Sequence, residues 1–250
     1  WLEYDYERLY GAVVDRLWPV TDETVRSAYF IGGGTYTFQR RLLSSRSARI
    51  VTAEIDPAVT RAAERALGLG DTPWTSHVIV HEDARTHLAT LDDGRFDLVF
   101  GDAFHDVGVP WHLTTRECAE IIRDKLAADG VYLLNVVDVF SSGRFLGAVV
   151  GTLEAVFADV TVLSMGPRDD DQQETFVVVA RRSVESPLAL DDLVDDAGQP
   201  LPIVRYGAQD LAALERRADG LVLRDDFAPV EALLAPVVEA RGGHGERATR

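Results

Sequence analysis

Cysteine, methionine and lysine are nearly missing from this 250-residue chain, which has one of each: Cys118, Met165 and Lys125. A single thiol can form neither a disulfide within the chain nor a cysteine-built metal site. It fits a reducing compartment, so a cytoplasmic setting is expected. Long apolar runs are missing too: Val131 to Val137 is of strand length, and no segment approaches the roughly 20 residues of a membrane span. Positive charge is scarce, with 25 Lys and Arg against 41 Asp and Glu, a net charge of −16. A field of that sign repels phosphate backbones and draws in cations, so nucleic acid is not expected and a small cationic amine is admissible. The same charge also serves solubility alone. His77, His81, His87 and His112 lack ligand spacing with one another, and no metal is expected. No methionine opens the chain; Trp1 does, without a basic stretch leading into an apolar one, so an upstream part is expected, and any membrane tether would lie there. A homodimer is left open.

What is present is an ordinary globular composition, 46% hydrophobic and 26% charged. By size scaling, about 70% of the unfolded chain's surface is lost on folding, enough core without covalent staples. Short β-branched runs alternate with helical periodicity, the pattern of βαβ units around a mostly parallel sheet. Tyr6, Leu9, Tyr10, Val13, Val14 and Leu17 recur at helical spacing over Tyr4 to Leu17. Strands are predicted at Ala28–Ile31, Ile50–Glu54, His77–Val80, Phe96–Gly101 and Val131–Val137, with Asp56-Pro57 opening a helix and further helices after Asp83 and Thr115. Val160–Ser164 and Thr175–Ala180 complete seven strands; their connection is too short for a crossover helix, so the last strand is antiparallel. Residues 1–182 are read as one α/β domain. Residues 183–250 are read as an acidic excursion followed by helices near Gln209–Arg217 and Val230–Ala240, packed on the same domain.

Four features fall at strand ends, where open doubly wound sheets bind ligands. Gly32-Gly33-Gly34 lets backbone amides approach a ligand. Glu54 lies 20 residues beyond Gly34, the spacing at which an acid meets ribose hydroxyls. Asp83 opens a helix and either accepts an adenine amine or serves only as its N-cap. Asp102 follows an apolar strand and needs a partner or a function. Gly34 is followed by Thr35, Tyr36 and Thr37, so the third glycine of a dinucleotide fingerprint is missing and a single nucleoside fits better. Tyr36 either narrows the donor pocket or packs on the first helix.

Ile31-Gly32-Gly33-Gly34, Glu54-Ile55-Asp56, Asp83-Ala84, Phe96 to Asp102, Leu113 to Glu117 and Leu126 to Val131, in this order and spacing, resemble the spermidine synthase family of polyamine aminopropyltransferases. The likeness runs from Tyr4 to Ala180. More narrowly, the chain is similar to the soluble domains that follow membrane helices in fused transporter-like homologues, to which Asp225 to Val230 also fits; read without that likeness, Asp226 and Pro229 simply begin a helix. The resemblance implies a Rossmann-like S-adenosylmethionine-dependent methyltransferase fold, a decarboxylated S-adenosylmethionine donor and a polyamine acceptor. In that scheme Gly32, Gly33, Gly34, Thr35, Glu54, Asp83 and Ala84 hold the donor, Asp102 is the amine-binding base, and Tyr10, His105 and Asp106 face the acceptor. Asp106 grips a distal ammonium or is a solvated loop acid, and His105 is a base or a loop residue.

Three positions depart from the family pattern. Thr35 stands where the family has an aspartate that pairs with the donor's propylamine, Asp102-Ala103-Phe104-His105-Asp106 is one residue longer between carboxylates, and Gly11 follows Tyr10 in place of glutamine. Losing the aspartate removes discrimination against a donor carboxylate, so ordinary S-adenosylmethionine and methyl transfer become admissible. Aminopropyl transfer leads, methyl transfer to a small molecule follows, and a non-catalytic nucleoside-binding regulatory domain is the third reading. The acidic stretch Asp169-Asp170-Asp171 with Glu174 either overhangs the pocket or is a solvated hairpin.

Overall fold

The computed structural model describes residues 2, 4–67, 76–103, 108–185 and 188–245. The strands are β1 (Arg26–Ile31), β2 (Ala48–Ala53), β3 (His77–Val80), β4 (Phe96–Gly101), β5 (Leu126–Val139), β6 (Asp159–Met165), β7 (Gln173–Arg181) and β8 (Ile203–Tyr206). The helices are α1 (Asp5–Leu17), α2 (Thr37–Ser45), α3 (Pro57–Leu67), α4 (Ala84–Ala89), α5 (Arg116–Lys125), α6 (Arg144–Glu154), α7 (Ala208–Arg217) and α8 (Val230–Gly245). They build one sheet in the order β3-β2-β1-β4-β5-β7-β6-β8. Pairing is parallel from β3 through β5 and antiparallel at β5–β7, β7–β6 and β6–β8.

Side-chain alternation along each strand sorts the core into two layers. Ala28, Phe30, Leu98 and Phe100 pack with Leu9, Val13 and Leu42 of α1 and α2 on one face. Tyr29, Ile31 and Val99 pack with Leu88, Cys118, Ile122 and Val149 of α4, α5 and α6 on the other. The predicted turn chemistry is present: Asp56 Oδ1 accepts the Ala58 amide at 2.7 Å ahead of α3, and Thr115 Oγ1 accepts the Cys118 amide at 3.3 Å at the start of α5.

Two differences from the sequence reading have physical causes. The sheet has eight strands among the described residues, not seven, because Ile203–Tyr206 adds an edge strand to β6; four residues with an arginine in the middle gave too weak a pattern. The acidic excursion, read as polar, also contributes to the core. Leu190, Leu193 and Leu201 are buried on the α1 face, while Asp192 bonds Arg16 at 2.6 Å and Asp196 pairs with the buried Arg41. On the opposite face, Leu214 of α7 and Val230, Leu234 and Val237 of α8 enter the second core layer.

Candidate active site

β1 has β2 on one side and β4 on the other, so the connections leave it in opposite directions and open a crevice at its carboxyl end. The ladders continue one residue past each strand there. The Gly32 amide donates to Ala53 O at 2.9 Å, the Glu54 amide to Val80 O at 3.0 Å, and the Asp102 amide to Ile31 O at 3.1 Å. Gly32, Glu54 and Asp102 are thereby fixed side by side. Gly32 is required: its φ is +96°, and a Cβ would stand 2.7 Å from the Asp102 carbonyl oxygen.

Two cavities meet at this point, and Gly32, Gly34 and Asp102 line both. The first, of about 240 Å³, lies toward β2 and α4 and is also lined by Glu54, Asp83 and Ala84. Its carboxylates are held by the backbone. Glu54 accepts the Gly33 amide at 2.9 Å and the Asp56 amide at 2.9 Å. Asp83 accepts the Thr86 amide at 2.8 Å and pairs with His112 Nε2 at 2.7 Å. Burial pushes the Asp83 carboxyl up, but the Thr86 and His112 bonds outweigh it and hold the group below its ordinary value. The N-cap and the cavity wall, set as alternatives by the sequence, are one arrangement: one oxygen caps α4 while the carboxylate lines the cavity.

The second cavity, of about 520 Å³, lies under α1 and includes Tyr6, Tyr10, Thr35, Phe38 and Asn135 in its walls. Asp102 Oδ2 accepts the Tyr6 hydroxyl at 3.0 Å and Oδ1 accepts Asn135 Nδ2 at 2.9 Å. Burial raises the Asp102 carboxyl above its ordinary value, and the Asn135 and Tyr6 bonds offset only part of that. Asn135 Oδ1 is buried without a hydrogen-bond partner among the described residues. The Tyr10 hydroxyl reaches Gly101 O at 3.4 Å, so Tyr10 is cavity wall and core together. A half-buried carboxylate, an unpaired amide oxygen and aromatic faces make this wall rich in acceptors, a surface whose chemistry suits a cation.

Tyr36 does not pack on the first helix: its ring covers Gly33, and its hydroxyl meets Thr60 of α3 at 2.7 Å. Thr35 lines the α1-side cavity rather than the smaller one and bonds the Thr37 hydroxyl at 2.7 Å. Gly11 faces Leu2 and Arg41, whose guanidinium would lie 3.3 Å from an added Cβ, so this departure from the family makes room for an ion pair outside the cavities. In the acidic hairpin, Arg168 bonds Asp170 at 2.6 Å and Asp210 at 2.9 Å, while Gln173 and Thr175, on either side of Glu174, line the α1-side cavity. His105 and Asp106 lie outside the described residues.

Tyr6, Asn135 and His112 were not read from sequence as residues of this site. Asn135 had a signal: it is the polar residue within Val131–Val137, and the pairing of Gly101 with Leu134 puts it level with Asp102. Tyr6 had a weaker one, standing four residues before Tyr10 on one helix face. His112 had none, since its partner Asp83 is distant in sequence. Among the described residues, no group of three or more His, Cys, Asp or Glu is placed to hold a metal ion, and no helix is long and apolar enough to cross a membrane.

The sheet order defines an α/β fold class shared with solved S-adenosylmethionine-dependent methyltransferases. Within that class the chain is similar to polyamine aminopropyltransferases. It is 26% identical over 236 residues to a probable polyamine aminopropyl transferase of Bifidobacterium longum, covering 86% of this chain and 50% of the relative. It is 26% identical over 185 residues to a polyamine aminopropyltransferase of Vibrio vulnificus, covering 72% of this chain and 60% of the relative. The chain thus spans only about half the length of the curated relatives it matches. No family model matches it. Among solved structures, a probable spermidine synthase from Corynebacterium glutamicum superposes with a TM-score of 0.73 at 19% identity, covering 92% of this chain and 83% of that one. A spermidine synthase in complex with the transition state analogue AdoDATO gives 0.59 at 18% identity, covering 87% and 74%. Human methyltransferase-like protein 13 in complex with SAH gives 0.59 at 17%, covering 86% and 91%. These structural likenesses establish the fold.

Proposed function

We propose that the chain is a transferase that moves an aminopropyl group from decarboxylated S-adenosylmethionine to an amine of a polyamine. The observation that carries this reading is the shared wall: two cavities join at Gly32, Gly34 and Asp102, so an electrophile in one faces a nucleophile in the other. The smaller cavity takes the nucleoside. Glu54 holds the ribose hydroxyls, Asp83 with Ala84 receives the adenine edge, and the glycine loop passes close to the sulfonium. The larger cavity takes the amine, with Tyr6, Tyr10 and Asn135 around it. The names of the curated relatives and the analogue-bound neighbour support this assignment.

A primary amine with pKa near 10.4 is protonated at neutral pH, and freeing its lone pair costs about 4.6 kcal/mol at pH 7. Asp102 meets that requirement. Its carboxylate holds the ammonium and takes a proton as nitrogen bonds the carbon next to sulfur. The carbon–sulfur bond breaks, its electron pair stays on sulfur, and a neutral thioether nucleoside leaves. The raised Asp102 pKa brings the base nearer to working pH, which favours this role.

A second reading rests on Thr35: a donor tail that passes the glycine loop into the larger cavity meets a hydroxyl there, where a carboxylate would select the decarboxylated donor. Ordinary S-adenosylmethionine then enters, and the same geometry delivers a methyl group. Calorimetric titration with the two nucleosides, followed by an assay of amine-dependent thioether release, tests both. Preference for the decarboxylated form with release supports aminopropyl transfer, and preference for the carboxylated form supports methyl transfer. Binding without release under any amine overturns aminopropyl transfer and leaves methyl transfer to another small molecule or a nucleoside-binding regulatory domain. The single buried thiol supports a cytoplasmic setting.

A further inference from the structure

The segment Asp225 to Val230 is not used by the transfer mechanism, yet its first residue is linked through Arg85 to His112 in the wall of the smaller cavity. We propose that Asp225 is a positioning residue for nucleobase recognition, acting through Arg85 and His112 on Asp83. This rests on the reading of that cavity as the nucleoside site.

The chain of contacts is continuous. His112 Nε2 meets Asp83 Oδ2 at 2.7 Å, and both residues line the cavity. The His112 carbonyl accepts Arg85 Nη1 at 3.0 Å, which fixes the backbone that carries the imidazole. Arg85 is itself held by a two-pronged fork on Asp225, Nη1 to Oδ1 at 2.7 Å and Nη2 to Oδ2 at 2.6 Å. Asp225 also accepts the Thr115 hydroxyl at 2.8 Å, and its own amide donates to Glu117 at 3.0 Å. Two residues upstream, the Leu223 carbonyl accepts the Arg116 amide at 2.8 Å and the Leu223 amide donates to Thr152 at 2.8 Å. A stretch near residue 225 is thus sewn to α5 and α6 and presents one carboxylate to α4.

Two physical effects follow. The fork is planar and bidentate, so it fixes the guanidinium in orientation as well as in place. It also occupies a cation that stands two positions from Asp83 in sequence. Released from Asp225, Arg85 is free to pair with Asp83, displacing His112 and filling the acceptor sites that an adenine amine needs. The pair is too exposed to contribute much to stability, with side chains 20% and 43% accessible. Its effect should therefore show in base selectivity rather than in melting temperature.

The test compares affinity for S-adenosylhomocysteine with that for S-inosylhomocysteine, in which the adenine amine is replaced by a carbonyl oxygen that a carboxylate repels. The native protein is expected to prefer the adenine form. In Asp225→Ala and in the shape-preserving Asp225→Asn, the preference should fall about tenfold with the fold intact by thermal melting. His112→Ala should show a similar loss, and the His112→Ala/Asp225→Ala double variant no more than the larger single one, since both act on one path. A native preference that both Asp225 variants retain overturns the positioning role while leaving the nucleoside site standing. A native protein indifferent to the two bases overturns the role of Asp83 and the proposal with it. If the alanine variant does not fold, the asparagine variant and Arg85→Lys decide the matter by the same ratio.

Discussion

The two cavities use carboxylates in opposite ways. In the smaller one, Glu54 and Asp83 are bonded to backbone amides, and Asp83 is held below its ordinary pKa. In the larger one, Asp102 is bonded only by side chains, Tyr6 and Asn135, and burial raises its pKa. Backbone amides at the glycine loop and at the starts of α3 and α4 hold a carboxylate in one direction. Side-chain donors leave room for a proton to come and go. The first arrangement suits binding, and the second suits proton transfer.

The strongest way to break this contrast is Asp102→Asn, which keeps the shape and removes both charge and proton acceptor. Turnover should fall 10² to 10⁴-fold, roughly 3 to 5 kcal/mol in the barrier, while nucleoside affinity measured by calorimetry changes little. Native turnover in the variant would remove Asp102 from the mechanism. Glu54→Ala is the converse and should weaken nucleoside binding by about 1.5 to 3 kcal/mol, tenfold or more. Because Glu54 also anchors the Gly33 and Asp56 amides, a lower melting temperature should accompany the loss, with Glu54→Gln showing less of it. Unchanged affinity in both variants would reject the ribose role.

Tyr6→Phe sharpens the comparison through pH. The Tyr6 hydrogen bond favours the Asp102 carboxylate, so its removal raises the Asp102 pKa further, and the acid is then protonated up to a higher pH. The proposed mechanism needs the carboxylate, so the acid limb of the rate profile should move to higher pH. A profile that does not move would show that Asp102 is not the titrating base. Thr35→Asp should have the smallest effect. Its exposed position keeps the added carboxylate near the water limit, about 1 kcal/mol toward the decarboxylated donor in the ratio of the two dissociation constants. An unchanged ratio would place residue 35 away from the donor tail.

Where local pattern and tertiary structure agree, the sequence was easy to read. His77–Val80 and Phe96–Gly101 match their predicted strands to the residue, because short β-branched and aromatic runs there give way to polar residues or a glycine. Glu54, Asp83 and Asp102 were legible as residues at or near strand ends, a position that chain order alone supplies. Tyr6, Asn135 and His112 were not, because each acquires its place from a partner on another element. The departure at Gly11 was visible but misdirected: only the packed helix shows that it faces Arg41 and not a ligand. Leu190, Leu193 and Leu201 were masked by the aspartates around them, whose charges meet arginines on α1 and α2.

Cys118 sits one turn into α5, buried, with its thiol pushed up to about 12 by that burial. In the closed protein it is therefore both shielded and protonated, and a thiol-specific reagent can reach it only when α5 lifts from the sheet. As the chain's sole sulfhydryl, it turns that opening into a single covalent event per molecule. Its modification rate, read by mass, is a stopwatch for local opening beside the Arg85–Asp225 fork. Any compound that fills the neighbouring cavity and favours the closed form should slow that clock in proportion to its occupancy.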